Sequence, residues 1–302
     1  MKKTIMSTLL TTLVFTSSLF FIHQAPLRYG NTVFSMTDKK GDDNGAGKIQ
    51  YPTQINKEEG LFDITKFEVK KDKNEIEFTY ELANINNTYN NSNKFSNVLI
   101  DTYISVGEEG LNTTLEYGAA VTFNEDYPWM YHIRITPEEY YIEKVVDITN
   151  KQTEKIACEF TLDDTTLLIT TDAKNINEDL KKSKYYVFTG GYDILGSDNY
   201  RKVVDEESEW NFYGGINSLY QPNVLDVVSP IQKKMLVYFM PPIYAALSPV
   251  YNQSHQFLFK KELLYLIALI LASLKYLSIY KEYTLRKKDN VIKNNTDMDK
   301  SN

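Results

Sequence analysis

Apolar and polar side chains alternate with a period of two along much of the chain between residues 61 and 190. In Glu75–Leu82, the residues Ile76, Phe78, Tyr80 and Leu82 share one face, and Glu75, Glu77, Thr79 and Glu81 share the other. Successive side chains of a strand point to opposite sides, so this is the pattern of a strand with one buried face. Tyr131–Thr136 repeats it, with Tyr131, Ile133 and Ile135 opposite His132, Arg134 and Thr136. Residues 155–162 put Ile156, Cys158, Phe160 and Leu162 on one face, where the lone cysteine is expected as an inert core residue. Asp163 and Asp164 supply a turn into a return strand carrying Leu167, Ile169 and Thr171. Further strands are expected at 61–69, 97–106, 116–123, 139–148 and 185–190, with one short helix near Ile176–Lys182. Many short strands with one apolar face predict an all-β chain built as a two-sheet antiparallel β-sandwich. The Asn-rich run Asn84–Asn97 interrupts the alternation and is expected as a long exposed loop.

Two runs depart from the alternation altogether. Met1-Lys2-Lys3 precedes an uncharged stretch from Thr4 to Phe21, the pattern of a signal peptide or signal anchor over 1–25. Ala25 is followed by Pro26, a poor cleavage site, so an uncleaved anchor stays open. Residues 263–280 form a second apolar run with one internal charge, Lys275, long enough to be expected as a transmembrane helix. The following Lys281, Arg286, Lys287 and Lys288 put the tail 281–302 in the cytoplasm by the positive-inside rule. That tail is polar and Asn-rich and is expected to be disordered. The domain at 37–250 is then expected outside, at the cell membrane.

Charge sharpens this division. The whole chain carries −7, but residues 4–259 hold 22 basic against 35 acidic residues, a balance of −13. Such a domain repels nucleic acid and anionic polymers and suits divalent cations or neutral sugars. One cysteine excludes an internal disulfide and a cysteine-based zinc site. Of the three histidines, His23 lies in the leader and His255 beside the second apolar run. His132 lies on a strand face without an evident nucleophile, which argues against a Ser-His-Asp triad. Paired carboxylates could in principle hydrolyse glycosides, but 35 acids offer no way to choose two.

Four segments carry candidate chemistry. Asp38-Lys-Lys-Gly41-Asp42-Asp43-Asn44-Gly45-Ala-Gly47, followed by Tyr51-Pro52-Thr53, clusters carboxylates on a Gly-rich loop. Carboxylates and backbone carbonyls are the oxygen ligands calcium prefers, so Asp38, Asp42 and Asp43 are candidate ligands, against an ordinary acidic turn. Gly60-Leu-Phe62-Asp63-Ile64-Thr65-Lys66-Phe67-Glu68-Val69 opens a strand with an acid. Tyr185-Tyr-Val-Phe-Thr-Gly190-Gly191-Tyr192-Asp193, with Gly196-Ser-Asp198-Asn-Tyr200-Arg201, ends a strand in paired glycines and an acidic loop. Trp210-Asn-Phe-Tyr-Gly214-Gly215 and Pro222-Asn223-Val-Leu-Asp226-Val-Val-Ser-Pro230 complete the set. Asp63 and Asp226 are expected as structural caps of strand ends rather than metal ligands. Trp129 and Trp210 are candidate platforms for sugar rings, or core residues. Tyr192, Asp193 and Arg201 are candidate ligand contacts, with an Arg201–carboxylate ion pair as the structural alternative.

In their order these four segments resemble the C-terminal binding-module-like domain of glucodextranase, which also occurs in some amylopullulanases and is related to DOMON-like sandwiches. The resemblance spans about residues 37–250. It implies a β-sandwich with a role in carbohydrate or cell-surface attachment, and it strengthens the calcium reading of Asp38, Asp42 and Asp43. The expected protein is thus an exported, membrane-anchored, non-catalytic module. It would bind a polysaccharide or cell-wall glycan through Trp129, Trp210, Tyr192, Asp193 and Arg201, with structural calcium and no nucleic-acid partner. The alternative is a structural or protein-interaction ectodomain without a sugar site.

Overall fold

A computed structural model describes residues 31–55, 58–216, 218–237 and 244–251, and Lys275. The leader over 1–25, the tail over 281–302 and all of the apolar run 263–280 but Lys275 lie outside the described residues. Among the described residues no helix is long and apolar enough to cross a membrane. The chain divides into two units after Tyr251, and every described strand belongs to the first.

In chain order the strands begin β1 (Thr32–Thr37), β2 (Ile64–Lys71), β3 (Glu75–Leu82), β4 (Val98–Ser105), β5 (Val121–Phe123), β6 (Tyr131–Ile135), β7 (Tyr140–Asp147) and β8 (Gln152–Ile156). They continue with β9 (Glu159–Asp163), β10 (Thr166–Asp172), β11 (Lys184–Gly191), β12 (Val203–Val204), β13 (Phe212–Tyr213) and β14 (Val224–Val227). One helical turn, α1 (Gln232–Leu236), precedes β15 (Ala245–Leu247) and β16 (Val250–Tyr251). One sheet has the order β1-β2-β3-β10-β9; the larger has β14-β11-β4-β6-β7-β8, with β16 also on β11. All pairings in both are antiparallel.

The alternation read from the sequence decides which side chains meet between the sheets. Phe67, Val69, Ile76, Phe78 and Tyr80 of the smaller sheet join Ile100, Ile104, Tyr131, Ile133 and Val187 of the larger in one buried cluster. Each such side chain contributes about 1.5–3 kcal/mol by leaving water. The two-sheet antiparallel sandwich is therefore what the pattern predicts.

Four local expectations are revised. β1 carried no strand signal of its own and pairs at the edge with β2. The expected single strand over 155–162 is two strands in different sheets, β8 on the larger and β9 on the smaller. The inward face of Ile156, Cys158, Phe160 and Leu162 continues in phase through that corner, so periodicity alone does not reveal it. The segment expected as a helix near Ile176–Lys182 is irregular chain and turns, and Lys71 Nζ donates to its carbonyls at Ile176 (2.7 Å) and Glu178 (3.1 Å). The Asn84–Asn97 loop is folded rather than simply exposed. Asn93 Nδ2 ties it to the Thr136 carbonyl at 2.8 Å, and Phe95, Ser96 and Asn97 are buried.

The larger sheet has a second covered face. Leu99, Tyr103, Trp129, Tyr186 and Phe188 pack there against Phe123, Leu236 and Leu247 from the connecting segments. Every residue of β4 and β6 is buried as a result, the polar ones included. On that face Arg134 donates from Nε to Asp101 Oδ1 and from Nη2 to Oδ2, both at 2.8 Å. Tyr200 donates its hydroxyl to Asp101 Oδ2 at 2.6 Å. His132 lies between two carboxylates, Nε2 at 2.8 Å from Asp101 and Nδ1 at 2.7 Å from Glu143. Carboxylates accept and do not donate, so both ring nitrogens carry protons. Burial alone would lower the His132 pKa, but Asp101 and Glu143 outweigh it and hold it above its ordinary value. Burial alone would raise Asp101; the charges of Arg134 and His132 reverse that and hold it well below the usual carboxylate range.

Asp101→Ala would remove the carboxylate that Arg134 and His132 share, leaving each with one acidic partner, Asp198 and Glu143, and is expected to cost about 3–5 kcal/mol in chemical denaturation. The Asp101 contribution is present above its unfolded pKa and is lost as pH falls through the folded one. The His132 contribution is present below its unfolded pKa and is lost as pH rises through the folded one. A loss below about 1 kcal/mol for the alanine variant would remove this network as a stabilising element.

Candidate metal centre and ligand surface

The loop after β1 brings acids against the end of β14. Gly45 N donates to the Leu225 carbonyl at 2.7 Å, and Gln232 Nε2 of α1 bonds the carbonyls of Asp42 (2.5 Å) and Gly45 (3.3 Å). Gly45 adopts φ +58°, and an added Cβ would meet Ile49 at 2.9 Å, so this close docking requires glycine. Asp38, Asp42 and Asp226 thereby each offer a carboxylate oxygen, all within 4.8 Å of one another. Oxygens bound to one calcium ion at about 2.4 Å lie up to about 4.8 Å apart, so the set has the right span.

Asp226 is wholly buried within the apolar run of β14. Its Oδ2 accepts from Ile64 N at 2.7 Å, and its Oδ1 has no partner. Asp63, also wholly buried, accepts from Gly41 N at 2.7 Å through Oδ2, and its Oδ1 is likewise unpartnered. Asp38 Oδ2, Asp42 Oδ1 and Asn44 Oδ1 complete a group of buried oxygens without donors. Among the described residues no Lys or Arg forms an ion pair with any of these acids. Burial pushes Asp38 up to about 7 and Asp63 up to about 6, and raises Asp42 and, strongly, Asp226, with neighbouring carboxylates adding to it. Converging unpaired acids suit a hard divalent cation, which would satisfy their oxygens and cancel their repulsion.

The set differs from the one expected. Asp38 and Asp42 are brought together, but Asp43 is not part of the group, because its Oδ2 accepts the hydroxyl of Tyr51. Asp226 takes its place, and Asp63 adjoins. Asp226 accepts the first N–H of β2, a strand end, whereas Asp63 accepts from the loop after β1, and each keeps a second oxygen without a hydrogen-bond partner. The signal for both was an acid inside an apolar run, Leu61-Phe-Asp-Ile64 and Val224-Leu-Asp-Val227.

The expected ligand residues divide in the same way. Trp129 is fully buried and donates from Nε1 to the Thr113 carbonyl at 2.9 Å, so it is a core residue and no sugar platform. Trp210 is 42% exposed. Its Nε1 donates to Asp193 Oδ2 at 2.8 Å, and the Arg201 guanidinium lies 4.0 Å from its ring centroid. Arg201 itself is only 2% exposed and donates from Nη2 to the Tyr192 carbonyl at 3.2 Å. Among the described residues it makes no ion pair, and the nearby Asp198 of the same motif bonds Arg134 instead. Gly191 allows Arg201 and Phe212 this close to β11, since an added Cβ would sit 3.0 Å from Arg201 Cβ. Trp210, Arg201, Asp193 and Tyr192 thus form one prepared surface, with Arg201 covering one face of the indole.

The acids give a pH test. In EDTA, folded Asp38 and Asp63 hold protons that the unfolded chain has lost by about pH 5. Stability then falls as pH rises from about 5 to about 8. Thermal melts in EDTA should show that decline, and Asp38→Asn should flatten it; a melting temperature rising across the window would contradict this electrostatic account.

No curated protein matches the chain significantly. The signature of one family, the SLH-like C-terminal binding module of glucodextranase, covers residues 33–249, from the first strand through the acid cluster to β15. With that span matched, the chain belongs to the family of SLH-like C-terminal binding modules of glucodextranase.

Proposed function

We propose that this protein is a non-catalytic module that binds a polysaccharide or cell-envelope glycan, held at the membrane by its second apolar segment. Trp210 carries the reading: an exposed indole steadied by Asp193 at its edge and Arg201 on one face. An aromatic ring fixed before binding offers the apolar face of a sugar a surface at little entropic cost. Asp193 borders it with a carboxylate for hydroxyls, and Arg201, held by the Tyr192 carbonyl, supports the ring from beneath. Family membership supports binding rather than catalysis. In this reading Asp38, Asp42 and Asp226, with Asp63 beside them, hold a structural calcium ion. The ion would join the loop after β1 to β14 and take no part in any reaction.

Two outcomes are expected with the full-length protein. Retention on insoluble glucans or cell-wall sacculi should fall about tenfold in Trp210→Ala, the loss of one stacking contact. No retention on any glycan at millimolar calcium would instead favour a protein-interaction ectodomain. Separately, calcium at about 100 times its Kd should raise the melting temperature by about 5 °C or more over EDTA. Asp226→Asn should abolish that difference, and an equal response in the variant would remove the proposed ion from this cluster.

A further inference from the structure

A second surface lies on the other side of the segment that carries Arg201. Along Tyr200–Lys202 the side chains alternate: Arg201 lies beneath Trp210, while Tyr200 and Lys202 line a cleft of about 580 Å³. Its wall is aromatic. Tyr117 and Tyr244 stack with ring centroids 5.6 Å apart and planes 15° apart, and Tyr220 packs against Tyr244 at 4.8 Å. Tyr117 is 56% exposed. Gly118 permits this arrangement, because an added Cβ would clash with the carbonyl oxygen of Ser197 and the β-carbon of Asp198.

The polar groups here differ from those of a packed core. Asn223 and Gln221 are committed to the backbone, Asn223 to Val203 N and the Gly118 carbonyl, Gln221 to Ile216 N and the Pro222 carbonyl. Among the described residues, by contrast, Lys202 forms no ion pair and Asp205 accepts only from Glu206 N, at 3.2 Å. The hydroxyls of Tyr117, Tyr220 and Tyr244 have no hydrogen bond among the described residues. An aromatic wall bordered by uncommitted donors and acceptors, one cation and one anion among them, matches a neutral polyhydroxylated ring. The apolar face of the ring would stack, and its hydroxyls would meet the rim. A purely apolar partner would strand Lys202 and Asp205, and a strongly acidic ligand would meet Asp205 on a domain already at −13.

We infer that the Tyr117–Tyr244 cleft is a second ligand site, taking the pyranose ring of a neutral sugar independently of Trp210. It shares its ligand class with the function proposed above but none of its contact residues. Maltohexaose, isomaltohexaose and cellohexaose, each titrated into the full-length protein, serve as probes, and saturation-transfer NMR identifies the sugar protons in contact. Transfer to ring-face protons of at least one oligomer is expected. Its affinity should weaken about tenfold in Tyr117→Ala, survive in Tyr117→Phe, which keeps the ring, and persist in Trp210→Ala. Transfer from none of the three overturns the inference. Binding that vanishes in Trp210→Ala and is untouched by Tyr117→Ala also overturns it, while leaving the Trp210 reading intact. Self-association that Tyr117→Ala abolishes would give the cleft to a second copy of the chain and equally overturn it.

Discussion

The Asp101–Arg134 pair is the interaction on which the larger sheet and the loop after β11 depend. Packing on both faces of the larger sheet leaves no water for the polar side chains of β4 and β6. A carboxylate there is tolerable only with full compensation, which Arg134, His132 and Tyr200 supply. The network also reaches outward. Asp198 bonds Arg134, and Tyr200 bonds Asp101, so the loop after β11 is anchored on the sheet at both residues. Arg201 and Lys202 follow directly in the chain, and the two proposed ligand surfaces inherit their positions from that anchor.

The molecule buries acids in two opposite ways. Around Asp101 every carboxylate oxygen meets a protein donor, and the pKa is driven down. Around Asp226 the acids face each other, oxygens are left over, and the pKa values are driven up. Equal burial gives Asp101 and Asp226 opposite electrostatics because Arg134 and His132 lie beside the first, while the charged neighbours of the second are carboxylates. The first arrangement is complete within the protein. The second calls for a counter-charge, which the proposed calcium ion would provide while fastening Asp38 and Asp42, near the start of the domain, to Asp226, near its end.

The abundance of tyrosine resolves along the same lines. Tyr80, Tyr103, Tyr131, Tyr185, Tyr186 and Tyr200 are buried, and five of these six direct their hydroxyls to named acceptors or partners, from Thr102 to Asp101. A buried phenol needs such a partner, so these residues are structural. Tyr117 is exposed and Tyr244 stacks on it. Rings at a surface with hydroxyls uncommitted among the described residues are the ones free to meet a ligand.

The sequence was enough for the all-β class, for most strands and for the inward face of β3, β6, β9 and β10, because side-chain alternation is a property of the local backbone. It also held the family's motifs in order. It marked Asp63 and Asp226 as strand-end caps and gave Asp101 no role. It did not show which partner each would find. Asp101 meets Arg134 and Asp226 meets Asp38 and Asp42 only when distant segments are brought together. The corner between β8 and β9 stayed hidden because the alternation runs through it unbroken, and the second layer over the larger sheet stayed hidden because short connecting segments carry no period. Trp129 and Trp210 look alike in sequence, and burial separates them into core and surface. Contacts of that kind join segments far apart in the chain, so they exist only once the sheets have packed.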